Sequence, residues 1–336
     1  MFQVATLLAA LTLAGCGQGG DDLMDDYVAR VANVLDAEPA PVDPMALPSY
    51  PRPRQLRQPV PDIRIDLLDA WALRGCEVFK LLGERNSILG KVAEPEIRLD
   101  YERRLLTLLP QCLGSDIEIE DDLRAELESA LAAKRSAFPV HLWNASVANP
   151  DYAAYWTGGS EPFAAEDTID TEGYKAAQST LSQLVESPME STGSDWLGAL
   201  ERMGQYPMGG HSLQSMRVAI QRLEQAERLL RAAAEDRRLC PMGPALKELG
   251  FARNVMVNIF TGEVQPWLVT VDQRFLAGFD PLSRIHDTLP IQNEPMADYV
   301  GVLQAWHDRY RLRIRQQVDA WQALFAACGS QATSAG

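Results

Sequence analysis

From Tyr299 onward the apolar residues Leu303, Trp306, Tyr310, Ile314, Val318, Trp321, Phe325 and Cys328 follow at steps of 4, 3, 4, 4, 4, 3, 4 and 3. The mean step matches a helical turn, so this stretch predicts one long helix whose aromatic stripe faces a core. A second stripe, Met216, Ile220, Leu223, Leu230 and Ala234, follows Ser212, a residue type that caps helices, and predicts a helix running to about Leu239. Met24, Val28, Val31 and Leu35 place a shorter helix over residues 21–36, with Asp21, Asp22, Asp25 and Asp26 near its positive end. Leu68, Ala72, Phe79, Leu82 and Leu89 repeat with helical period, and Pro95 opens a further helix through Leu99, Leu105, Leu108 and Leu109. These two form an αα-hairpin turning near Ala93. More helices are expected over residues 118–138, from Thr171, and over 194–205, where Pro207, Gly209 and Gly210 interrupt.

Three segments break the helical pattern. Eight prolines between Pro39 and Pro61 forbid helix or central strand and favour an extended path. That path serves either as a spacer or as a strap across the helices; Leu47, Tyr50 and Leu56, which would gain burial, favour the strap. Residues 143–170 read as a loop with Asn149-Pro150, Gly158-Gly159 and Pro162. Residues 254–260 and 264–271 are rich in β-branched residues and flank Thr261-Gly262-Glu263, which predicts a β-hairpin with Pro266 on its edge strand. The expected fold is therefore mainly α: a multi-helix, bundle-like body with one β-hairpin and two disulfides. Its expected divisions are a signal peptide over 1–15, an anchor, short helix and proline-rich segment over 16–62, the helical body over 63–328, and a tail over 329–336.

Composition narrows the functions. The 336 residues carry 31 Lys+Arg against 46 Asp+Glu, a net charge of −15, which repels phosphate backbones and argues against nucleic acid as a partner. No stretch reaches the roughly 20 apolar residues of a membrane span. The apolar run from Val4 to Ala14 is too short to span and has the length of a signal-peptide core. It ends in Leu13-Ala14-Gly15-Cys16, which resembles the bacterial lipobox, where the cysteine is acylated and becomes the new N-terminus. That resemblance implies membrane lipid as a partner through Cys16, and Gly17, in place of Asp, resembles the outer-membrane sorting case. Cys76, Cys112, Cys240 and Cys328 remain, an even number for an oxidising periplasm. Cys76 lies 17 residues before the turn at Ala93 and Cys112 lies 19 after it, so antiparallel helices bring the two thiols to one height. Pro110 is expected to end or kink the second helix. Cys240 and Cys328 both close long helices, and they form the remaining pair.

Within the first hairpin helix the chain reads Leu81-Leu82-Gly83-Glu84-Arg85-Asn86-Ser87-Ile88-Leu89-Gly90-Lys91-Val92. With Cys76, Tyr101, Cys112 and the lipobox, this stretch resembles a gammaproteobacterial lipoprotein family, domain of unknown function 3080. The resemblance implies the envelope compartment and a one-piece mature chain, and brings no substrate or catalytic residue with it.

Candidate chemistry is sparse. Asn86 falls where the helical stripe calls for an apolar residue, so a polar pocket is one reading: Arg85 or Lys91 receives an anionic group that Asn86 and Ser87 orient. The plain alternative is a buried hydrogen-bond cluster that fixes helix register. Trp143, Tyr152, Tyr155, Trp156 and Phe163 offer flat rings to a sugar such as those of peptidoglycan, or else fill a core cluster. Arg309, Arg311, Arg313 and Arg315 read lipid phosphates or an acidic protein partner, or pair within the fold with Glu118, Glu120, Asp121 and Asp122. His141, His211, His286 and His307 show no metal-ligand spacing, and no phosphate loop, nucleophile elbow or other catalytic motif is present, so no metal, cofactor or catalytic residue is expected. The leading expectation is a lipid-anchored, periplasm-facing outer-membrane protein with a non-catalytic interaction or structural role. The alternative is binding or processing of an envelope glycan or lipid.

Overall fold

The computed structural model describes residues 19–63, 65, 71–86, 93–165, 179, 183, 195–241 and 246–329. Cys16, Ser87, Lys91 and nearly all of the helix expected from Thr171 lie outside them. The helices are α1 (Gly20–Leu35), α2 (Pro53–Leu56), α3 (Glu77–Asn86), α4 (Pro95–Leu113), α5 (Asp121–Ala145), α6 (Pro150–Thr157), α7 (Asp195–Gln205), α8 (Met208–Glu235), α9 (Lys247–Asn254), α10 (Gln265–Thr288) and α11 (Glu294–Ala327), with a π-helix over Val255–Val264 joining α9 to α10.

Four long rods make the main bundle. Arg222 pairs with Asp25, and Arg238 donates to the Leu35 carbonyl, so α1 and α8 run parallel. Arg313 of α11 reaches Glu224 and Glu227 of α8 at 3.0 and 3.3 Å, and the Cys240–Cys328 disulfide follows α8 and closes α11, so α11 runs the same way. The fourth rod, α9 to α10, is antiparallel: Arg253 lies over Phe325, and Tyr310 donates to the Leu268 carbonyl at 2.7 Å. At the start of α8 the backbones close on one another, because a Cβ on Gly210 would overlap the Gly158 carbonyl and one on Gly209 would strike Tyr155. The helix accordingly begins at Met208, and Ser212 lies inside its first turns with its hydroxyl donating to the Met208 carbonyl at 2.7 Å.

The β-hairpin is absent: the described residues contain no strand, and the span 254–271 lies within the α9–π–α10 rod. Val255, Phe260, Val264, Leu268, Val271 and Phe275 are all buried on one face. Phe260 packs on Tyr27 of α1 at 5.6 Å. The five-residue step from Val255 to Phe260 suits the wider π turn. Burial of this stripe overrides β-branched propensity, which is worth well under ~1 kcal/mol per residue. Thr261, Gly262 and Glu263 are solvent-facing helix instead of a turn, and Pro266 occupies the first turn of α10, where its missing N–H costs least.

A second layer is the αα-hairpin of α3 and α4 with α5 against it. Cys76 and Cys112 are bonded as the helix arithmetic predicts, with Cα atoms 5.7 Å apart. Pro110 and Pro139 sit inside α4 and α5 without ending them, and α5 continues to Ala145. The proline-rich segment is a strap that ties the layers together; it is extended except for the single turn of α2, which the prolines did not forbid because Pro53 stands at its first position, where no N–H is needed. Gln225 and Gln221 donate to the Ala40 and Asp43 carbonyls, Tyr50 donates to the Val147 carbonyl at 2.7 Å, and Trp143 donates to the Leu56 carbonyl at 2.7 Å. Asn144 fastens Gln58 through its backbone N–H and carbonyl, both at 2.8 Å. Tyr50 and Leu56 are buried, which offsets part of the entropy lost by ordering an extended segment.

Candidate functional site

Where the strap leaves Asn144 it crosses the hairpin layer and roofs a cavity of about 360 Å³. The roof is Val60 to Ile63 and Ile65, and the floor comes from three helix faces. Leu82 and Arg85 stand three apart on α3; Arg98, Tyr101 and Glu102 share one face of α4; and Lys134 and His141 lie two turns apart on α5. Lys134 Nζ donates to both Glu102 carboxylate oxygens at 2.9 Å and stands 5.8 Å above the Tyr101 ring. His141 Nε2 is 3.9 Å from Glu102 Oε1. The side chains of Glu102, Lys134 and His141 are each only 6% exposed, an unusual burial for two full charges and a histidine. A second hollow of about 380 Å³ lies beyond Arg98, His141 and Val60, and adds Arg57, Glu94 and Asn144.

Three cations, Arg85, Arg98 and Lys134, face two carboxylates, Asp62 and Glu102, around the first cavity. This local cation excess lies inside a protein of net charge −15. Arg85, Arg98 and Asp62 also make interactions of their own, so the arginines are held in place and not loosely dangling. Burial lowers the His141 pKa from its ordinary 6.5; Glu102 opposes the shift, and Lys134, Arg98 and Arg85 reinforce it. Burial, then Glu102, pushes the Tyr101 hydroxyl well above its ordinary range. At neutral pH the site therefore sets a neutral imidazole and an intact phenol beside three cations and two carboxylates, a surplus of donors that suits an anion.

The His141 shift has a sign that can be measured. Its folded pKa lies below the unfolded one, so on acidification the unfolded chain takes the proton first, and stability present above about pH 6.5 is lost as pH falls toward the folded value. His141→Gln should flatten the fall of the melting temperature between pH 7 and pH 5. Parallel profiles for the two proteins would refute this assignment.

Of the described ligand-binding candidates read from the sequence, Arg85 lines the cavity; Tyr101 and His141, named there for other reasons, line it as well. Asn86 is the last described residue of α3, while Ser87 and Lys91 lie outside the described residues. Trp143, Tyr155 and Trp156 are buried in the core, and residues 143–145 and 150–157 are helical where a loop was expected. Trp156 meets Tyr155, Phe275 and Tyr299 with ring centroids 5.2 to 6.3 Å apart, and Gly278 packs against the Tyr155 hydroxyl, so these rings have no face left for a sugar. Arg313 pairs with Glu224 and Glu227, not with the acids at 118–122, while Arg309, Arg311 and Arg315 are exposed. His307 bonds Asp272 at 2.7 Å, and His211 Nδ1 lies 2.7 Å from the Glu161 carbonyl. Among the described residues no group of three His, Cys, Asp or Glu is placed to hold a metal, and no helix is long and apolar enough to cross a membrane.

The residues that sequence reasoning missed left one signal. Glu102 interrupts the buried run Leu99, Leu105, Leu106 and Leu109, and Lys134 interrupts Leu127, Leu131 and Phe138. A charge on a buried stripe needs a partner, and each supplies the other's.

Neither the curated proteins nor the solved structures contain a match to this chain. The family described as protein of unknown function (DUF3080) matches residues 24–332, nearly the whole chain, and this protein belongs to it.

Proposed function

We propose that this protein is a lipid-anchored, periplasm-facing envelope protein whose role is non-catalytic: it binds an anionic group in the cavity between the strap and the α3–α5 layer. The observation that carries the proposal is the buried Glu102–Lys134 pair with His141, bordering open volume next to Arg85 and Arg98. Buried ion pairs stabilise poorly compared with apolar packing, so charges that line a cavity are better accounted for by a ligand than by the fold. The lipobox at Cys16 and the two disulfides support the compartment. No side chain stands as an activated nucleophile beside His141 among the described lining residues, which favours binding over turnover.

Calorimetric titration of the purified protein with inorganic phosphate tests the site. Saturable binding is expected, weakened at least tenfold by Arg98→Gln and unchanged by Arg313→Gln, which lies on the bundle. No heat, or equal heat from both variants, would sink the proposal. Radiolabelled palmitate tests the anchor: label in the wild type that persists in Cys16→Ser would remove it.

A further inference from the structure

Ile63 and Ile65 stand between two hollows. On one side is the charged cavity; on the other is a groove of about 320 Å³ that the same two isoleucines share with Leu123, Leu127, Ala130 and Ala133 of α5. One helix thus changes character along its length. Its N-terminal half lines the groove with aliphatic side chains, and Lys134 and His141 follow in its C-terminal half on the charged cavity. Leu127 and Lys134 are seven residues apart, about 10 Å along the axis. Ala130 and Ala133 are small, so the groove floor stays open, and only Glu126 and Ser129 add polar atoms to its edge.

A mainly aliphatic groove that shares Ile63 and Ile65 with a neighbouring cation-bearing cavity is complementary to one kind of molecule. We propose that the occupant is a single-chain anionic amphiphile, its oxyanion headgroup beside Arg98 and Lys134 and its alkyl chain along Ile63, Ile65 and Leu127. This inference rests on the anion-binding reading of the cavity and adds the tail to it. Two observations select the occupant. The trough has the volume of a small-molecule site and not of a protein helix. The cations lie at one end only, with a single carboxylate, Glu126, on the rim of the other, which suits an amphiphile and does not suit a second copy of an acidic chain. The headgroup is a carboxylate, as in a fatty acid, or a phosphate, as in a lysophospholipid, and both meet the same guanidinium and ammonium donors.

The test uses the full Cys16→Ser chain with both disulfides formed, titrated below the critical micelle concentration with inorganic phosphate, dodecyl phosphate, dodecanoate and the uncharged dodecyl maltoside. Each buried methylene strengthens binding by roughly fourfold, so one of the two anionic dodecyl probes should bind at least 100-fold tighter than phosphate. Ala130→Trp, which fills the trough, should remove at least tenfold of that gain and leave inorganic phosphate unaffected; Ala133→Phe, at an exposed position, gives the same reading should the tryptophan disturb folding. The tighter of dodecanoate and dodecyl phosphate identifies the headgroup. Phosphate and both anionic dodecyl probes binding equally well would overturn the amphiphile and leave the anion site standing. Dodecyl maltoside binding as tightly as the anionic probes would also overturn it, because the headgroup would go unread. Failure of every probe would remove the anion site with it.

Discussion

Replacing Lys134 with methionine is expected to lower the unfolding free energy by about 3–5 kcal/mol at pH 7, because it strands the Glu102 carboxylate in a buried position. The double variant Glu102→Leu/Lys134→Met should recover most of that loss and come within about 1–2 kcal/mol of the wild type, since two aliphatic side chains need no partner. Urea denaturation followed by tryptophan fluorescence reads both. The contrast is informative because it separates the cost of breaking the pair from the worth of having it. If the double variant is stable but no longer binds phosphate, the pair is present for the ligand. A Lys134→Met protein within about 1 kcal/mol of the wild type would show that water in the cavity already solvates Glu102, and the burial argument would fall.

Opening the Cys240–Cys328 bridge is the second large effect. The bond closes a loop with a sequence separation of 88, against 36 for Cys76–Cys112, so the chain-entropy estimate assigns it about 4.6 kcal/mol against about 3.8. Cys240→Ser/Cys328→Ser should therefore unfold at clearly lower denaturant, and dithiothreitol should have correspondingly less left to remove from it than from the wild type. An unchanged midpoint would contradict the estimate. The two bridges also differ in what they hold. Cys240–Cys328 pins the end of α8 to the end of α11 and neither cysteine lines the cavity, so phosphate binding should survive its loss. Cys76–Cys112 fixes α3 against α4, and with them Arg85 against Arg98.

Several features were legible because they depend on local counting. The 17- and 19-residue arms around Ala93 place Cys76 opposite Cys112 from helix rise alone. The proline run holds helix to the four residues of α2, and Tyr50 and Leu56 within it signal a strap that must bury something. The span 254–271 misled because Val255, Val257 and Ile259 carry β propensity, whereas the contacts that decide, such as Phe260 on Tyr27, come from helices more than 200 residues away. Residues 143–157 misled in the same way: Asn149-Pro150 reads as a loop, yet Pro150 merely opens α6, with Asn149 accepting the Asp151 N–H at 2.7 Å. The site was mostly hidden. Glu102 and Lys134 each look like an ordinary solvated helix charge until α4 and α5 are packed together. His141 appeared as one of four scattered histidines, and the roof over all three arrives from the strap some 40 to 80 residues earlier in the chain. Among the described candidates Arg85 was found, through the unexpected polarity of its neighbour Asn86.

The partners of α1 set an order of events in folding. Tyr27 receives hydrogen bonds from Gln317 and Trp321 at 2.7 and 2.9 Å, across separations of 290 and 294 residues. α1 therefore completes its buried contacts only when α11 is in place. Until then its apolar face, with Leu23, Met24, Val28, Val31 and Leu35, remains partly uncovered, a state prone to association with other chains. Contacts of such long range also make folding slow relative to a bundle built from neighbouring hairpins. Asp21, Asp22, Asp25 and Asp26 lie on the same helix as that stripe, and like charges so placed oppose the association of neighbouring chains while the stripe is uncovered.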